Sequence, residues 1–237
     1  MAGGKALAGK VALVTGASRG IGAATAEALA AEGVHVILTA RTVEELEKVE
    51  DRIHAAGGSA TIAPVDLAEQ DAIARLAAAV GSRWERLDYL IISAAYLPML
   101  TSVVHIEPKE FNKTLTINVL ATQALLASFD PLLKRAEAGR IIGLTSSVAE
   151  TPRPYWAAYA ATKAAFESLL DCHAQEVERI SKVRVAILDP GATRTAMRAR
   201  AFPGEDPATL KTPDVVAERI ADLLRDDFAT GHRERVS

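Results

Sequence analysis

Val11-Ala12-Leu13-Val14-Thr15-Gly16-Ala17-Ser18-Arg19-Gly20-Ile21-Gly22 is the stretch on which the fold turns. A short β-branched run ends at Gly16. Three glycines follow, spaced G-x3-G-x-G, and Ala, Ile and Leu then recur at helical spacing over residues 18–31. The pattern predicts strand, glycine turn and helix. Glycine lets the backbone turn sharply and approach a phosphate, and the free N–H groups at a helix start attract its charge. A pyrophosphate suits such a turn, although a plain strand-to-helix connection also uses glycine.

The same alternation continues outward. Strands are expected over residues 34–40, 60–65, 89–92, 140–145 and 183–188, and helices over 43–56, 70–82, 108–135, 155–180 and 213–224. Thr42 is placed to cap the second helix, and Gly57-Gly58 to stop it. Strands this continuously apolar must be covered on both faces, as in a parallel sheet between helices. Neither a shift in composition nor a linker interrupts the series. The chain therefore reads as one α/β domain over residues 1–237, a doubly wound Rossmann fold with a parallel sheet of six to seven strands, and ligands belong at the carboxyl ends of the strands.

The composition narrows the possible functions. At 237 residues, 49% hydrophobic and 24% charged, the chain can bury a substantial core. A net charge of −3 provides no field for nucleic acid or anionic lipid, and 5% aromatics leave little for base stacking. The single Cys172 excludes an intramolecular disulfide and cysteine-rich zinc sites, and points to a reducing cytoplasm. His35, His54, His105, His173 and His232 show no metal-ligand spacing, so no metal is expected. No apolar run reaches the roughly 18 residues of a membrane span, and residues 1–10 lack a signal-peptide pattern. Trp84 and Trp156 read as packing anchors, while Trp156, Tyr155 and Tyr96 fall near strand ends where they suit an apolar pocket.

The segment TGASRGIG, residues 15–22, resembles the cofactor loop of short-chain dehydrogenases/reductases, and the resemblance extends over nearly the whole chain. It implies a nicotinamide dinucleotide held by Gly16, Ser18, Arg19, Gly20, Ile21 and Gly22, with Asp66-Leu67 at the adenine ring. On its own, Asp66 is equally a helix N-cap before Gln70. Where the dinucleotide fold carries a carboxylate for the ribose hydroxyls, this chain has Ala40-Arg41. Arg41 and Arg19 offer forked donors for a 2′-phosphate, which favours NADP(H) over NAD(H).

Tyr159 and Lys163 stand at i and i+4 of one helix, so they share a face. A free phenol has a pKa of about 10 and needs a neighbouring cation to act near neutrality, which Lys163 is placed to supply. Ser146, thirteen residues before Tyr159, ends the fifth strand. Thr145 and Ser147 are alternatives to it. The resemblance gives Tyr159 the role of general acid/base, Lys163 that of its electrostatic partner and ribose binder, Ser146 that of oxygen stabiliser, and Asn118 that of proton-relay anchor. It also gives Pro190, Gly191, Thr193 and Thr195 to the border of the nicotinamide, and residues 196–212 to a segment covering the substrate.

Two departures from the family pattern stand out. Ile92-Ser93-Ala94-Ala95 replaces the usual Asn-Asn-Ala-Gly, so amide hydrogen bonds beside the cofactor must be replaced or lost at Ser93, Ala94 and Ala95. The chain after Leu224 is short for the family's last strand, with residues 228–231 as its remnant. The expected activity is hydride transfer between NADP(H) and a small-molecule carbonyl or secondary alcohol, by a homodimer or homotetramer. Reduction of carrier-bound keto-acyl groups would call on Arg194, Arg198 and Arg200. A non-catalytic nucleotide-binding regulator or scaffold on the same fold is the alternative, and the altered segment 92–95 is its support.

Overall fold

The computed structural model describes residues 5–237. Seven strands form one parallel sheet: β1 (Val11–Thr15), β2 (His35–Thr39), β3 (Ser59–Ile62), β4 (Tyr89–Ile92), β5 (Arg140–Leu144), β6 (Arg184–Asp189) and β7 (His232–Arg235). Their order is β3-β2-β1-β4-β5-β6-β7. The winding direction therefore reverses between β1 and β4, and the crevice above their carboxyl ends is the natural ligand position of such a sheet.

The described residues form eight α-helices: α1 (Gly20–Ala31), α2 (Val43–Ala55), α3 (Ala72–Arg83), α4 (Pro108–Leu115), α5 (Ala121–Arg135), α6 (Ala157–Val177), α7 (Ala196–Ala201) and α8 (Pro213–Asp226). Alternate strand residues point to opposite faces. Ala12 and Val14 pack with Leu29 of α1, Leu46 of α2 and Ile220 of α8. Leu13 packs with Leu76 of α3, Phe129 of α5 and Phe166 of α6 on the other side. Every residue of β1, β4 and β5 is buried, which explains why these strands read as mainly apolar, with Thr15 and Arg140 only at strand ends.

Several expectations require correction. Thr42 occupies the N-cap of α2 without a side-chain cap hydrogen bond. β3 stops at Ile62, although Ala63 and Val65 still donate to Leu38 and Ala40 at 2.8 and 2.9 Å. The helix expected from residue 155 begins at Ala157, because Tyr155 has a φ of 73°. The last strand is His232–Arg235, not residues 228–231. Polar throughout, it escapes a search for apolar alternation because it lies at the sheet edge. Side-chain pairs hold it there, including Arg219 with both oxygens of Glu234 at 2.6 and 2.7 Å.

Residues 108–135 form α4, a π-helical turn over Thr116–Leu120, and α5. By length and mean hydropathy this stretch could cross a membrane, although polar residues such as Asn118 and Gln123 interrupt its apolar run. Here Leu125, Phe129 and Leu132 are spent on the core beneath the sheet.

Candidate active site

The glycine turn forms a close-fitting cradle. Gly16 and Gly20 have φ of 68° and 56°. A Cβ on Gly16 would lie 2.9 Å from the Ala94 Cα, and one on Gly22 would lie 2.2 Å from the Gly16 carbonyl oxygen. Side chains at either position would fill the turn. α1 starts at Gly20 with neither a side-chain cap nor an acidic residue in its first turn, so its leading N–H groups remain available to an anion. Across the cradle, the Thr195 Cγ2 would approach a Cβ on Gly20 at 3.4 Å. The segments around Gly16–Gly22, Ala94 and Thr195 are thus brought together at the switch point, a shape that fits a dinucleotide pyrophosphate.

The loop at residues 93–94 has a tether that the sequence reading overlooked. Thr15, at the end of β1, donates its hydroxyl to the Ile91 carbonyl at 3.3 Å and accepts from the N–H groups of Ser93 and Ala94, both at 3.1 Å. Its signal was a hydroxyl directly before the first glycine of the turn. Asp66 does not cap α3, which begins at Ala72. Its Oδ1 accepts from the Ala68 N–H at 2.9 Å, closing a local turn, while Leu67 packs on the core.

Arg19 and Arg41 are both exposed and, among the described residues, neither is held by an ion pair. They have different neighbours. Arg19 acts on Glu45, whose carboxyl is held low first by Lys48. Arg41 is felt by Tyr96, whose phenol is raised chiefly by its hydrogen bond to Glu110, with Arg200 and Arg41 opposing.

Asn118 sits in the π-helical turn with 1% exposure. Its Oδ1 accepts from the Tyr96 N–H at 2.7 Å, and its Nδ2 donates to the Tyr96 carbonyl and the Thr162 Oγ at 3.0 Å each. Thr162 in turn donates to the Tyr159 carbonyl at 2.8 Å. The extra backbone residue of a π turn is a common feature of functional sites, and here it directs a buried amide at the loop after β4 and at α6 simultaneously. Thr162 was not singled out from sequence.

Tyr159 and Lys163 are buried on the first turns of α6. The Lys163 ammonium donates to the Leu144 carbonyl at 2.7 Å and lies 4.4 Å from the Phe166 ring centre and 5.9 Å from that of Tyr159. Burial pulls its pKa down to about 8, against an opposing pull from Glu167. The expectation that Lys163 acidifies the phenol is not met in the protein alone. Burial, followed by the negative charge of Asp189, pushes the Tyr159 pKa above its ordinary value. Tyr159 is only 6% exposed, and its hydroxyl has no hydrogen-bond partner among the described residues.

Among the three hydroxyls at the end of β5, the bonding pattern singles out Ser146. Thr145 donates to Glu167 at 2.5 Å and Ser147 accepts from Arg153 at 3.2 Å. The Ser146 hydroxyl has no protein partner among the described residues. After β6, Asp189 accepts from the Gly191 N–H at 2.9 Å and Thr193 donates to the Pro190 carbonyl at 2.9 Å. Thr193 bridges to Lys211, whose ammonium donates to the Val236 carbonyl at 2.7 Å. The end of the chain therefore supports the Pro190–Thr195 loop.

Residues 196–212 contain α7, capped by the Thr195 hydroxyl at 3.1 Å, and a short 3-10 turn, Pro207–Thr209. α7 contributes Met197 and Ala201 to a cluster around Tyr159 with Leu97, Leu100, Val148, Trp156 and Ala160. A surface concavity of about 590 Å³ lies elsewhere, at the amino ends of β5 and β6 beside Arg140 and Arg184. Both arginines are paired there with Asp227, so the chemistry concentrates at the opposite end of the sheet.

The comparisons with known proteins agree with this geometry. The pattern of the short chain dehydrogenase family matches residues 10–206. The chain is 35% identical over 221 residues to the uncharacterized oxidoreductase YciK of Escherichia coli, covering 92% of this chain and 87% of that protein. It is 35% identical over 228 residues to an uncharacterized oxidoreductase of Mycobacterium tuberculosis, covering 92% of this chain and 65% of that one. A short chain dehydrogenase from Shigella flexneri complexed with NADP superposes with a TM-score of 0.94 at 35% identity, over 98% of this chain and 99% of the other. One from Escherichia coli complexed with NADPH gives 0.93 at 34% identity, over 98% of each. The seven-stranded parallel sheet, the glycine cradle at its switch point and the match over residues 10–206 place the chain in the short chain dehydrogenase family.

Proposed function

We propose that the protein is an NADP(H)-dependent oxidoreductase that interconverts a carbonyl and a secondary alcohol, with Tyr159 as general acid/base. The observation that carries this reading is the pair of uncommitted hydroxyls, Tyr159 and Ser146, beside a cradle shaped for a dinucleotide. When bound, NADPH supplies the hydride to the carbonyl carbon and leaves as NADP+, while C=O becomes CH–OH.

This chain's residues do the rest. Gly16, Ser18, Gly20, Ile21 and Gly22 hold the pyrophosphate at the start of α1. Arg19 and Arg41, without an ion pair among the described residues, bind the 2′-phosphate. Two similar structures contain NADP or NADPH, which supports the same cofactor here. Asp66 and Leu67 border the adenine, Ser93, Ala94 and Ala95 the ribose, and Pro190, Gly191, Thr193 and Thr195 the nicotinamide.

Ser146 donates a hydrogen bond to the substrate oxygen and orients it towards Tyr159. Tyr159, kept protonated by burial, donates its phenolic proton as negative charge grows on that oxygen. Lys163, fixed by the Leu144 carbonyl, stabilises the phenolate that remains, and Asn118 holds α6 in register with the loop after β4. Residues 196–212 cover the substrate and exclude water. The free Cys172 thiol accords with a reducing, cytoplasmic setting.

The test is NADPH consumption with a panel of ketones, aldehydes, quinones and β-keto thioesters, run in parallel with NADH. Turnover with NADPH supports the reading. Binding of the cofactor with no turnover across the panel counts against it.

A further inference from the structure

On the substrate side of Tyr159, hydrocarbon dominates. Leu97 and Leu100 come from the loop after β4, Val148 from the loop after β5, Trp156 from the approach to α6, and Met197 and Ala201 from α7. Trp156 meets Tyr159 edge-on at 6.1 Å between ring centres and packs against Phe202 at 5.6 Å. Such walls hold apolar matter well and charged groups poorly.

Two of the three arginines that could offset this are already committed. The Arg198 guanidinium lies 3.8 Å from the Phe202 ring centre and donates to both oxygens of Glu205 at 2.6 and 2.5 Å. Arg200 donates to the Leu97 carbonyl, which ties α7 to the loop after β4. Of the three arginines expected to greet an anionic carrier, only Arg194 remains exposed and unengaged among the described residues.

The hydrocarbon wall continues to the surface. The segment that buries Leu97 goes on to expose Met99, Val103 and Val104 at 75%, 69% and 84%. Tyr155, one residue from Trp156, is 65% exposed and held at a φ of 73°. Its carbonyl accepts from the Thr101 N–H at 3.1 Å, which joins the two segments at the rim. A tyrosine at positive φ is strained, so its neighbours must impose that conformation. Other exposed large apolar side chains, Val43, Leu120, Ile180 and Val215, sit singly on other elements.

We infer that this rim, continuous with the apolar wall beside Tyr159, seats the alkyl tail of an uncharged aliphatic ketone or aldehyde. The inference rests on the carbonyl reduction proposed above. The carbonyl lies at Ser146 and Tyr159, and the tail runs past Leu100, Trp156 and Met197 onto Tyr155, Met99 and Val104. Its head undergoes the same balanced reaction: hydride to carbon, proton from Tyr159 to oxygen, and NADPH oxidised to NADP+.

Two measurements on the full chain test this and separate it from the reading beneath it. In the first, kcat/KM is measured with NADPH for 2-alkanones from 2-pentanone to 2-undecanone. Burial of successive methylenes predicts a rise of about two- to fourfold for each, leaving the longest roughly 50-fold or more above the shortest. Met99→Gln combined with Val104→Gln should cut that long-to-short ratio by about tenfold, whereas Ile180→Gln, on another surface, should preserve it. A ratio near one with measurable turnover overturns the tail seat and leaves the reductase reading standing. Faster turnover of a β-keto thioester of coenzyme A than of 2-undecanone also overturns it.

In the second, Trp84→Phe protein, whose remaining indole is Trp156, is titrated with the same ketones in the presence of NADP+, which cannot reduce them. Saturable quenching that tightens with chain length supports the seat, even if turnover is absent and the reductase reading falls. Quenching independent of chain length, or none, overturns the seat.

Discussion

The Lys163 ammonium donates to the Leu144 carbonyl at 2.7 Å, so a buried cation on α6 is anchored to the last residue of β5. This bond, with the packing of Phe166 and Leu170, ties the sheet to the helix that carries Tyr159. It also sets a pH dependence. Burial lowers the Lys163 pKa from 10.5 to about 8, so the unfolded chain binds more protons than the folded one between those values. Stability should therefore rise as pH increases from about 8 to about 10.5. Lys163→Met should remove that rise and stabilise the fold near neutrality by on the order of 2 kcal/mol, less whatever is lost with the Leu144 hydrogen bond. Urea denaturation across that range, with wild type and variant side by side, checks the sign. A slope that survives the substitution places its origin elsewhere.

Asn118 uses both ends of its amide, accepting from the Tyr96 N–H and donating to the Tyr96 carbonyl and Thr162. Asn118→Leu leaves all three groups without their buried partner, at an expected cost of about 2–4 kcal/mol. Asn118→Asp keeps the acceptor and loses both donors, so it should also destabilise. Chemical denaturation gives the cost, and equal stability of wild type and Asn118→Leu would show that the bracket is dispensable.

Arg41 and Arg19 should determine cofactor choice. Arg41→Asp should lower affinity for NADPH by about 10- to 100-fold and raise the relative affinity for NADH, because the carboxylate repels the 2′-phosphate. Arg19→Ala should weaken NADPH binding without improving NADH. Calorimetric titration of both cofactors against each variant measures this, and unchanged preference in Arg41→Asp contradicts the assignment.

Asp189 raises the Tyr159 pKa after the larger effect of burial. Asp189→Asn keeps an oxygen for the Gly191 N–H and removes the charge. The Tyr159 pKa should then fall, moving the alkaline limb of the kcat profile to lower pH. A limb that stays in place or moves upward would mean that Tyr159 does not feel this charge during turnover.

Legibility in the sequence followed how local the cause was. β1, the glycine turn and α1 depend on contiguous residues, as does the i, i+4 spacing of Tyr159 and Lys163, and these emerged with only the start of α1 moved from residue 18 to Gly20. Features whose cause lies far along the chain did not. Thr15 matters because Ser93 and Ala94 return to it, and β7 is a strand because Arg219 and Asp189 receive it at the sheet edge. Asp66 looked like a cap because it precedes a helix, but the left-handed Asp71 delays that helix to Ala72. The raised phenol pKa was hidden for a related reason: pairwise spacing suggests a stabilising cation, while burial, the larger influence, arises only when α6 packs under α7 and the loop after β4.

The most direct test of the central claim is the single-turnover rate of NADPH oxidation by a carbonyl substrate in wild type and Tyr159→Phe, with NADPH affinity measured alongside. The account predicts that the phenylalanine variant binds NADPH normally and loses about 10²- to 10⁴-fold in rate, since only the proton donor is gone. A variant that turns over at the wild-type rate would contradict Tyr159 as the acid/base of this site.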